Sequence, residues 1–335
     1  MNLRKDETLS TTIDKIKYLL KQVGIQTHIT FLANPISFIY SCRVEIQGLP
    51  GSGANGKGIS ETAALASAYS ELMERLQNRI FMKSLYMAFN NDYKWENFIL
   101  QQKSLIQTED FLNDCFSSKK MPENIANFII GEEDISFTNI MTGEEVYLNN
   151  MILNHYLGSN GMCAGNTYEE ALAQGFCEIM ERFVLQNLYS GNVADKDISV
   201  IPRCCYQQYK IYEVIDELEG MGFICKVLNC SLGGKFPVAG FLIINPHSLR
   251  GKFALGCDYD LEIALQRCVT ELFQGKESMI ALRYNMHSIF DEIWNENAAF
   301  TSTQTEAFFS ALRDWQGTIP KILLTDYENG DLLPF

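Results

Sequence analysis

Three stretches of this 335-residue chain place acidic side chains three positions apart within helix-like sequence. The first, SETAALASAYSELMERL (Ser60 to Leu76), holds Glu71 and Glu74; the second, TYEEALAQGFCEIMERF (Thr167 to Phe183), holds Glu178 and Glu181. The third, DLEIALQRCVTELFQGK (Asp260 to Lys276), holds Glu271 but ends the pattern on Gln274. A shift of 107 positions lays Ala64, Glu71, Glu74 and Arg75 on Ala171, Glu178, Glu181 and Arg182; a further shift of 93 lays Ala171, Leu172, Glu178 and Glu181 on Ala264, Leu265, Glu271 and Gln274. Residues three apart share a helical face, so each pair projects together. The small residues Ala64, Ser67, Ala171 and Ala264 lie near that face and permit close packing. If the helices converge, five carboxylates meet and repel unless cations hold them. Oxygen donors without His or Cys suit a hard cation, for which Mg²⁺ with phosphate is the usual setting. A single ExxER is more often a solvated helical face, but the apolar neighbours Phe176, Cys177, Ile179, Met180 and Phe183 and the triplication in register argue against that here.

A second chemical feature is the glycine-rich run GLPGSGANGKG, Gly48 to Gly58, read as a loop. GSGANGK (Gly51 to Lys57) satisfies the spacing of a phosphate-binding P-loop, and ILLTD (Ile322 to Asp326) imitates the strand that accompanies one. The next residue is Gly58, not the Ser or Thr such a loop needs for Mg²⁺. A P-loop NTPase is therefore the weaker alternative, while Lys57 as a phosphate-facing ammonium survives under either. The ten cysteines are dispersed without a CxxC pair, and there are only four histidines. A thiolate zinc site is disfavoured, and reduced thiols in a cytoplasmic protein are expected.

The elements that must position these groups follow from periodicity. Helices are expected at Thr12–Val23, stopped by Gly24; at about Ser60–Met82 with Ser60 as N-cap; at Thr167–Tyr189, Tyr206–Gly220, Leu261–Tyr284 and Glu306–Trp315. Strands are expected at Gln26–Leu32, Ser37–Ile46, Ile135–Ile140, Glu145–Leu148, Phe223–Leu228, Val238–Ile244, Lys252–Cys257 and Lys321–Thr325. Thr142 and Gly143 should turn a hairpin. Lys83 to Gly131 has weak periodicity and reads as an insertion or small helical subdomain. Long helices with mixed sheets make an α/β or α+β protein, a single catalytic domain over 1–335. Hydrophobic residues at 47% and charged ones at 20% fit a globular core rather than disorder. Twenty-seven basic against 41 acidic residues, net −14, argue against nucleic acid. No stretch has the length of a membrane span, and the N-terminus lacks a signal-peptide core.

The blocks GKGISETAALASAYSELMER (Gly56–Arg75), SNGMCAGNTYEEALAQGFCEIMER (Ser159–Arg182) and GCDYDLEIALQRCVTELFQGK (Gly256–Lys276) together resemble the YcaO family of ATP-dependent peptide-modifying enzymes. The likeness runs from about Thr12 to Thr325. It implies an ATP fold unrelated to kinases, with ATP and Mg²⁺ as cofactors. It also implies phosphorylation of a peptide backbone amide oxygen after a nucleophile adds: a substrate side chain in azoline formation, sulfide in thioamidation, or an amine in amidine formation. On that resemblance Glu71, Glu74, Glu178, Glu181 and Glu271 would hold Mg²⁺. Lys57, Ser67, Arg182 and Arg267 would contact phosphates, and Glu170, Gln274 and the loop with Ser159, Asn160 and Gly165 would shape the nucleotide pocket. The partners implied are a ribosomal peptide or protein substrate and a separate protein for leader recognition or sulfur delivery. Cys163 stands where many members carry a smaller residue, and space filling is the simplest role for it. After KILLTDYENGDLLPF the family pattern continues with a strand and a proline-rich end. Here only Pro334 precedes Phe335, so that tail is short or truncated, and its natural absence would weaken an azoline assignment. The alternative from another class is a peptide-binding or scaffold subunit without turnover.

Overall fold

The computed structural model describes residues 5–34, 36–49, 51–77, 134–149, 161–189, 193, 198–234, 237–245 and 250–274. Helix α1 (Leu9–Gln22) begins where the Thr8 hydroxyl accepts the Thr11 N–H at 3.2 Å, and it buries Ile13, Ile16 and Leu20. Strands β1 (Thr27–Leu32), β2 (Tyr40–Ile46) and β3 (Gly53–Gly58) form an antiparallel sheet in that order. Helix α2 (Glu61–Gln77) follows, its first turn capped by the Ser60 hydroxyl, which accepts the Ala63 N–H at 3.1 Å. Strands β4 (Asp134–Thr138) and β5 (Glu145–Asn149) pair as the expected hairpin. Helix α3 (Tyr168–Tyr189) precedes a second sheet of order β6-β7-β8-β9, built from β6 (Ser199–Val200), β7 (Ile224–Asn229), β8 (Val238–Asn245) and β9 (Arg250–Cys257). Helix α4 (Ile211–Gly220) lies before β7, and α5 (Leu261–Phe273) follows β9.

Alternation along the second sheet assigns its faces, because successive side chains point to opposite sides. Cys225, Val227, Phe241, Ile243 and Ala254 pack with α4 and α5, whereas Leu228, Leu242, Ile244, Leu255 and Cys257 pack with Cys177, Met180 and Val184 of α3. A separate core joins α1, the first sheet and α2 through Leu20, Val44, Tyr69, Leu72 and Leu76. All pairings between described strands are antiparallel, which places the fold on the α+β side of the expected class. No described helix is long and apolar enough to cross a membrane.

Several expectations are corrected. The glycine-rich run is not a loop throughout: from Gly53 it is β3, with Lys57 opposite Ser41 of β2. The reason is steric. A Cβ on Gly56 would stand 1.9 Å from the Ala64 carbonyl oxygen and 2.5 Å from the Ala68 nitrogen, so the bare strand lets α2 lie directly on it. The third repeat is built the same way. A Cβ on Gly256 of β9 would meet the Ala264 oxygen of α5 at 2.3 Å and the Cys268 nitrogen at 2.8 Å. Gly56, Ala64, Ala68 and Glu71 thus correspond to Gly256, Ala264, Cys268 and Glu271 at one offset of 200. The expected Tyr206–Gly220 helix starts late, at Ile211, and a 3₁₀ turn at Arg203–Cys205 precedes it. Helix α5 ends at Phe273, since Gln274 turns to extended backbone (ψ 128°). Strand β2 starts late, at Tyr40, because Phe38 has a positive φ of 61°. The short β6 had no periodic signal. The insertion at 83–131, the rest of the Ser60–Met82 and Leu261–Tyr284 helices, and the segments Glu306–Trp315 and Lys321–Thr325 lie outside the described residues.

The glycine contact is testable. Gly56→Ala forces strand and helix apart and should lower stability by ~1–3 kcal/mol in urea unfolding. A Cβ on Gly220 meets nothing within 4 Å, so Gly220→Ala should stay within ~1 kcal/mol of the parent. Equal effects from the two changes would refute the close-contact account.

Candidate functional site

Glycine and small-residue contacts seat α2 on β3 and α5 on β9, and a bond from Cys257 to Glu181 ties α3 to the end of β9. On α2, Glu71 pairs with Arg75 one turn on, and Arg75 also donates to the Gly53 carbonyl at 2.8 Å. Ser67, one turn before Glu71, and Glu74, three after it, share that face. On α3, Glu178 lies 3.9 Å from Arg182, and Glu181 accepts the main-chain N–H of Cys257 at 2.6 Å, which ties α3 to the end of β9. On α5, Glu271 forms an ion pair with Lys57 of β3. Gln274 accepts from the Lys57 ammonium at 3.0 Å and donates to the Asn55 carbonyl at 2.5 Å and to Glu71 at 3.5 Å. Arg267, one turn before Glu271, donates to Gln174 of α3 at 2.8 Å and lies 3.6 Å from Asp258.

The electrostatics confirm that these groups feel one another. Burial lowers the Lys57 ammonium to a pKa of about 8, with Arg267 adding to the effect while Glu181, Glu71 and Glu178 oppose it. Burial pushes Glu74 up to about 8, reinforced by the charges of Glu178 and Glu71. Glu71, Glu178 and Glu181 are likewise raised, chiefly by burial, against the counter-pull of Arg75, Arg182 and the Cys257 N–H respectively. A carboxylate cluster this unfavourable when charged is relieved by protons or by cations. Among the described residues no three His, Cys, Asp or Glu side chains are gathered tightly enough to hold one ion. The acids are turned instead to Arg75, Arg182, Lys57 and a main-chain N–H. The donor set still fits a hard divalent cation: oxygen only, mutually repelling, and held on rigid helices rather than loops.

Not every expected residue joins this group. Glu170 faces away to the N-terminal segment, accepting from Lys5 at 2.8 Å, from the Asp6 N–H at 3.2 Å and from Asn166. Burial raises its pKa, but these donors more than offset it and hold the carboxyl below its ordinary range. Gly165 packs the loop onto α3, where its Cβ would meet the Ala171 nitrogen at 2.4 Å. Ser159 and Asn160 lie outside the described residues. Cys163 fills space against Gly175, and burial and then Glu74 raise its pKa, the opposite of an activated thiol. Of the apolar neighbours of Glu178 and Glu181, Cys177 and Met180 are buried, but Phe176, Ile179 and Phe183 are 40–52% exposed, so their apolar character reflects a surface stripe rather than the core. The P-loop alternative fails because Lys57 sits within a paired strand, where no glycine loop can cradle phosphate. Sequence reasoning missed Gln174, Asp258 and Asn55. Gln174 could have been found from its place one turn before Glu178; Asp258 and Asn55 join only through tertiary contact.

The model of the family described as "YcaO cyclodehydratase, ATP- and Mg²⁺-binding" matches residues 55–333. An uncharacterized protein of Haemophilus influenzae is 31% identical over 294 residues, which cover 82% of this chain and 49% of that one. The ribosomal protein S12 methylthiotransferase accessory factor YcaO of Escherichia coli K12 is 30% identical over 294 residues, covering 81% and 49%. The chain therefore spans about half the length of the curated relatives it matches. Among solved structures, a heterocyclase in complex with substrate and cofactor aligns with a TM-score of 0.56 at 17% identity, covering 80% of this chain and 40% of that one. YcaO from Methanopyrus kandleri, bound with AMPPCP and Mg²⁺, aligns with a TM-score of 0.55, also at 17%, covering 96% and 77%. At that identity the two structures speak for the fold alone. With the family model matching residues 55–333 and 81% of the chain aligned to E. coli YcaO at 30% identity, this chain belongs to the YcaO family.

Proposed function

We propose that this chain is the catalytic domain of an ATP- and Mg²⁺-dependent enzyme that activates a backbone amide of a peptide or protein. The observation that carries this is the convergence of Glu71, Glu74, Glu178, Glu181 and Glu271 with Lys57 and Arg267 in a family described as binding ATP and Mg²⁺. The five carboxylates would hold Mg²⁺, whose charge would offset that of phosphates and of the transferring phosphoryl group. Lys57 and Arg267 supply fixed positive charge beside them, and Gln174 and Asp258 hold the Arg267 guanidinium in place. Arg182, more than half exposed, remains free to turn from Glu178 towards an anion. Phosphorylating the oxygen of an amide that has accepted a nucleophile turns a poor leaving group into a good one. The product is an azoline, a thioamide or an amidine according to the nucleophile, and the setting is maturation of a ribosomal peptide or protein in the cytoplasm, with a partner protein delivering substrate or sulfur. The family's description as a cyclodehydratase supports azoline formation, and the accessory-factor name of the E. coli relative favours a second reading, a subunit that serves another enzyme's modification of a protein.

Turnover separates these readings. The full-length protein with its natural substrate should release ADP and phosphate in step with the substrate's mass change. AMP with pyrophosphate would exclude amide phosphorylation, and nucleotide binding without turnover would favour the accessory subunit.

Glu178→Gln removes one proposed metal ligand and one buried charge. Its apo melting temperature should be unchanged or slightly higher, and the extra stabilisation by Mg²⁺–ATP should be lost, because a ligand stabilises only the state it binds. A solvated surface position would change neither quantity, and a structural ion pair with Arg182 would instead lower apo stability. A full Mg²⁺–ATP shift in the variant would rule out Glu178 as a ligand.

The pH dependence of apo stability has a definite sign. Glu74 binds its proton up to about pH 8 in the folded state but only to about 4.5 unfolded, so the native state holds more protons and stability falls as pH rises between those values. Lys57 loses its proton near pH 8 folded and 10.5 unfolded, so its own contribution rises above pH 8, while the burial-raised thiols of Cys42, Cys225 and Cys230 pull the other way at alkaline pH. Thermal melts without Mg²⁺ should show stability falling from about pH 4.5 to about 8, and Glu74→Gln should flatten this acid limb. An unchanged acid limb in that variant would show that Glu74 is not the titrating group.

A further inference from the structure

Helix α3 and strand β9 are joined at one point by two separate contacts. Cys257 ends β9 on the sheet face that packs against α3, in one core cluster with Cys177, Met180 and Val184. Its N–H donates to the Glu181 carboxylate at 2.6 Å. Cys177 lies four positions before Glu181 and so shares its face of the helix. The Cys257 side chain turns to that earlier position, where its thiol donates a hydrogen bond to the Cys177 sulfur. One strand residue therefore grips two successive turns of α3, with its main chain on Glu181 and its thiol on Cys177.

The other described cysteines are differently placed. The Cys268 thiol donates to the Ala239 carbonyl at 3.1 Å, and Cys163 rests against Gly175. Cys204 and Cys205 also touch. As sequence neighbours, however, their Cα atoms stand about 3.8 Å apart, short of the range of about 4.4–6.8 Å that a disulfide usually spans. Cys177 and Cys257 instead approach from facing elements. Cys177 keeps 7% of its surface exposed and Cys257 3%, so a small oxidant meets Cys177 first. Both flanks of the pair carry groups of the carboxylate face. Glu178 follows Cys177, and Asp258, which lies 3.6 Å from Arg267, follows Cys257.

We propose that Cys177 and Cys257 form an oxidation site, a dithiol that closes to a disulfide under peroxide and thereby disturbs the α3 carboxylates. Hydrogen peroxide converts the Cys177 thiol to a sulfenic acid and is reduced to one water. The Cys257 sulfur then attacks the Cys177 sulfur, the S–O bond breaks, and the hydroxyl leaves with the Cys257 proton as a second water. Two electrons pass from the pair to the peroxide, and a dithiol reductant restores both thiols by exchange. The covalent bond is shorter than the contact it replaces, so it draws Cys257 towards Cys177 and off Glu181, one turn further along. Reducing conditions keep the pair open, and a disulfide that forms only under oxidant is the sensing kind. The consequence for Mg²⁺–ATP rests on the function proposed above; the linkage itself does not.

The test treats the reduced full-length protein with millimolar hydrogen peroxide, blocks the remaining thiols with N-ethylmaleimide and maps the linked peptides. A Cys177–Cys257 link should form, and dithiothreitol should remove it. Without nucleotide, the link should speed exchange of the Cys257 amide at least ~10-fold, because its bond to Glu181 is lost. Calorimetry should find Mg²⁺–ATP bound at least ~10-fold more weakly by the linked protein, the scale expected when groups that orient metal ligands are disturbed. Dithiothreitol should restore that affinity. In Cys177→Ala, and separately in Cys257→Ala, peroxide should change neither quantity. No link while the exposed Cys204 is oxidised would overturn the proposal. So would a link that leaves the Cys257 amide protected or the affinity unchanged, or an equal loss of affinity in the two variants. Reduced protein that binds no Mg²⁺–ATP would instead sink the function proposed above, and the mapping and the exchange would still decide the oxidation site.

Discussion

The contact on which the rest depends is a strand lying bare against a helix. Gly56 of β3 against α2 and Gly256 of β9 against α5 leave no room for a methyl group, and the facing residues Ala64, Ala68, Ala264 and Cys268 are small. That approach fixes how far each helix stands from its sheet. It also fixes the rotation of the helix, since only one face can meet a bare strand. Once the small residues face the strand, the acidic positions one or two turns later project beside it. The carboxylates are gathered by packing, and their own mutual repulsion works against the arrangement.

That repulsion is managed locally. Each acid has a nearby cation or N–H: Arg75 for Glu71 and Glu74, Arg182 for Glu178, the Cys257 amide for Glu181 and Lys57 for Glu271. These pairs differ in strength. The Arg182 contact is long, and Arg182 is more than half exposed, so its contribution is screened by solvent. Glu74 is pushed furthest up, to about 8, chiefly by burial and then by the charges of Glu178 and Glu71. The acidic face is therefore held ready by a rigid frame at some cost in stability, an arrangement found where charge has a chemical use.

The repeat of Glu71, Glu178 and Glu271 was legible because side-chain type and spacing survive in the sequence, and helix periodicity fixes which residues share a face. The hairpin around Gly143 was legible for the same local reason. Lys57 was legible as chemistry but not as structure. Glycine runs suggest loops from composition, and only the close approach of α2 shows why β3 needs them. The bonds of Glu170 to Lys5 and Asn166 were not legible, because no helical period announces them. Asp258 and Asn55 escaped notice because no period marks a residue whose role depends on a contact between sheets. The end of α5 at Phe273 also escaped, since nothing in the run of helix formers announces that Gln274 will be claimed by another strand.

Gln274 is the position where the third repeat departs from the other two. A carboxylate there could accept from Lys57 but could not donate to the Asn55 carbonyl. The amide does both, and it stays neutral at every pH at which the protein is folded. The Gln274–Asn55 bond between the third and first repeats thus does not titrate. Around it, Glu74, Glu178 and Glu181 change charge with pH and with any bound cation, while the Gln274 bonds to β3 hold. A departure that looks like decay of the repeat gives the face an insulated hinge point, against which the charged members can gain or lose protons without loosening the strand that carries Lys57.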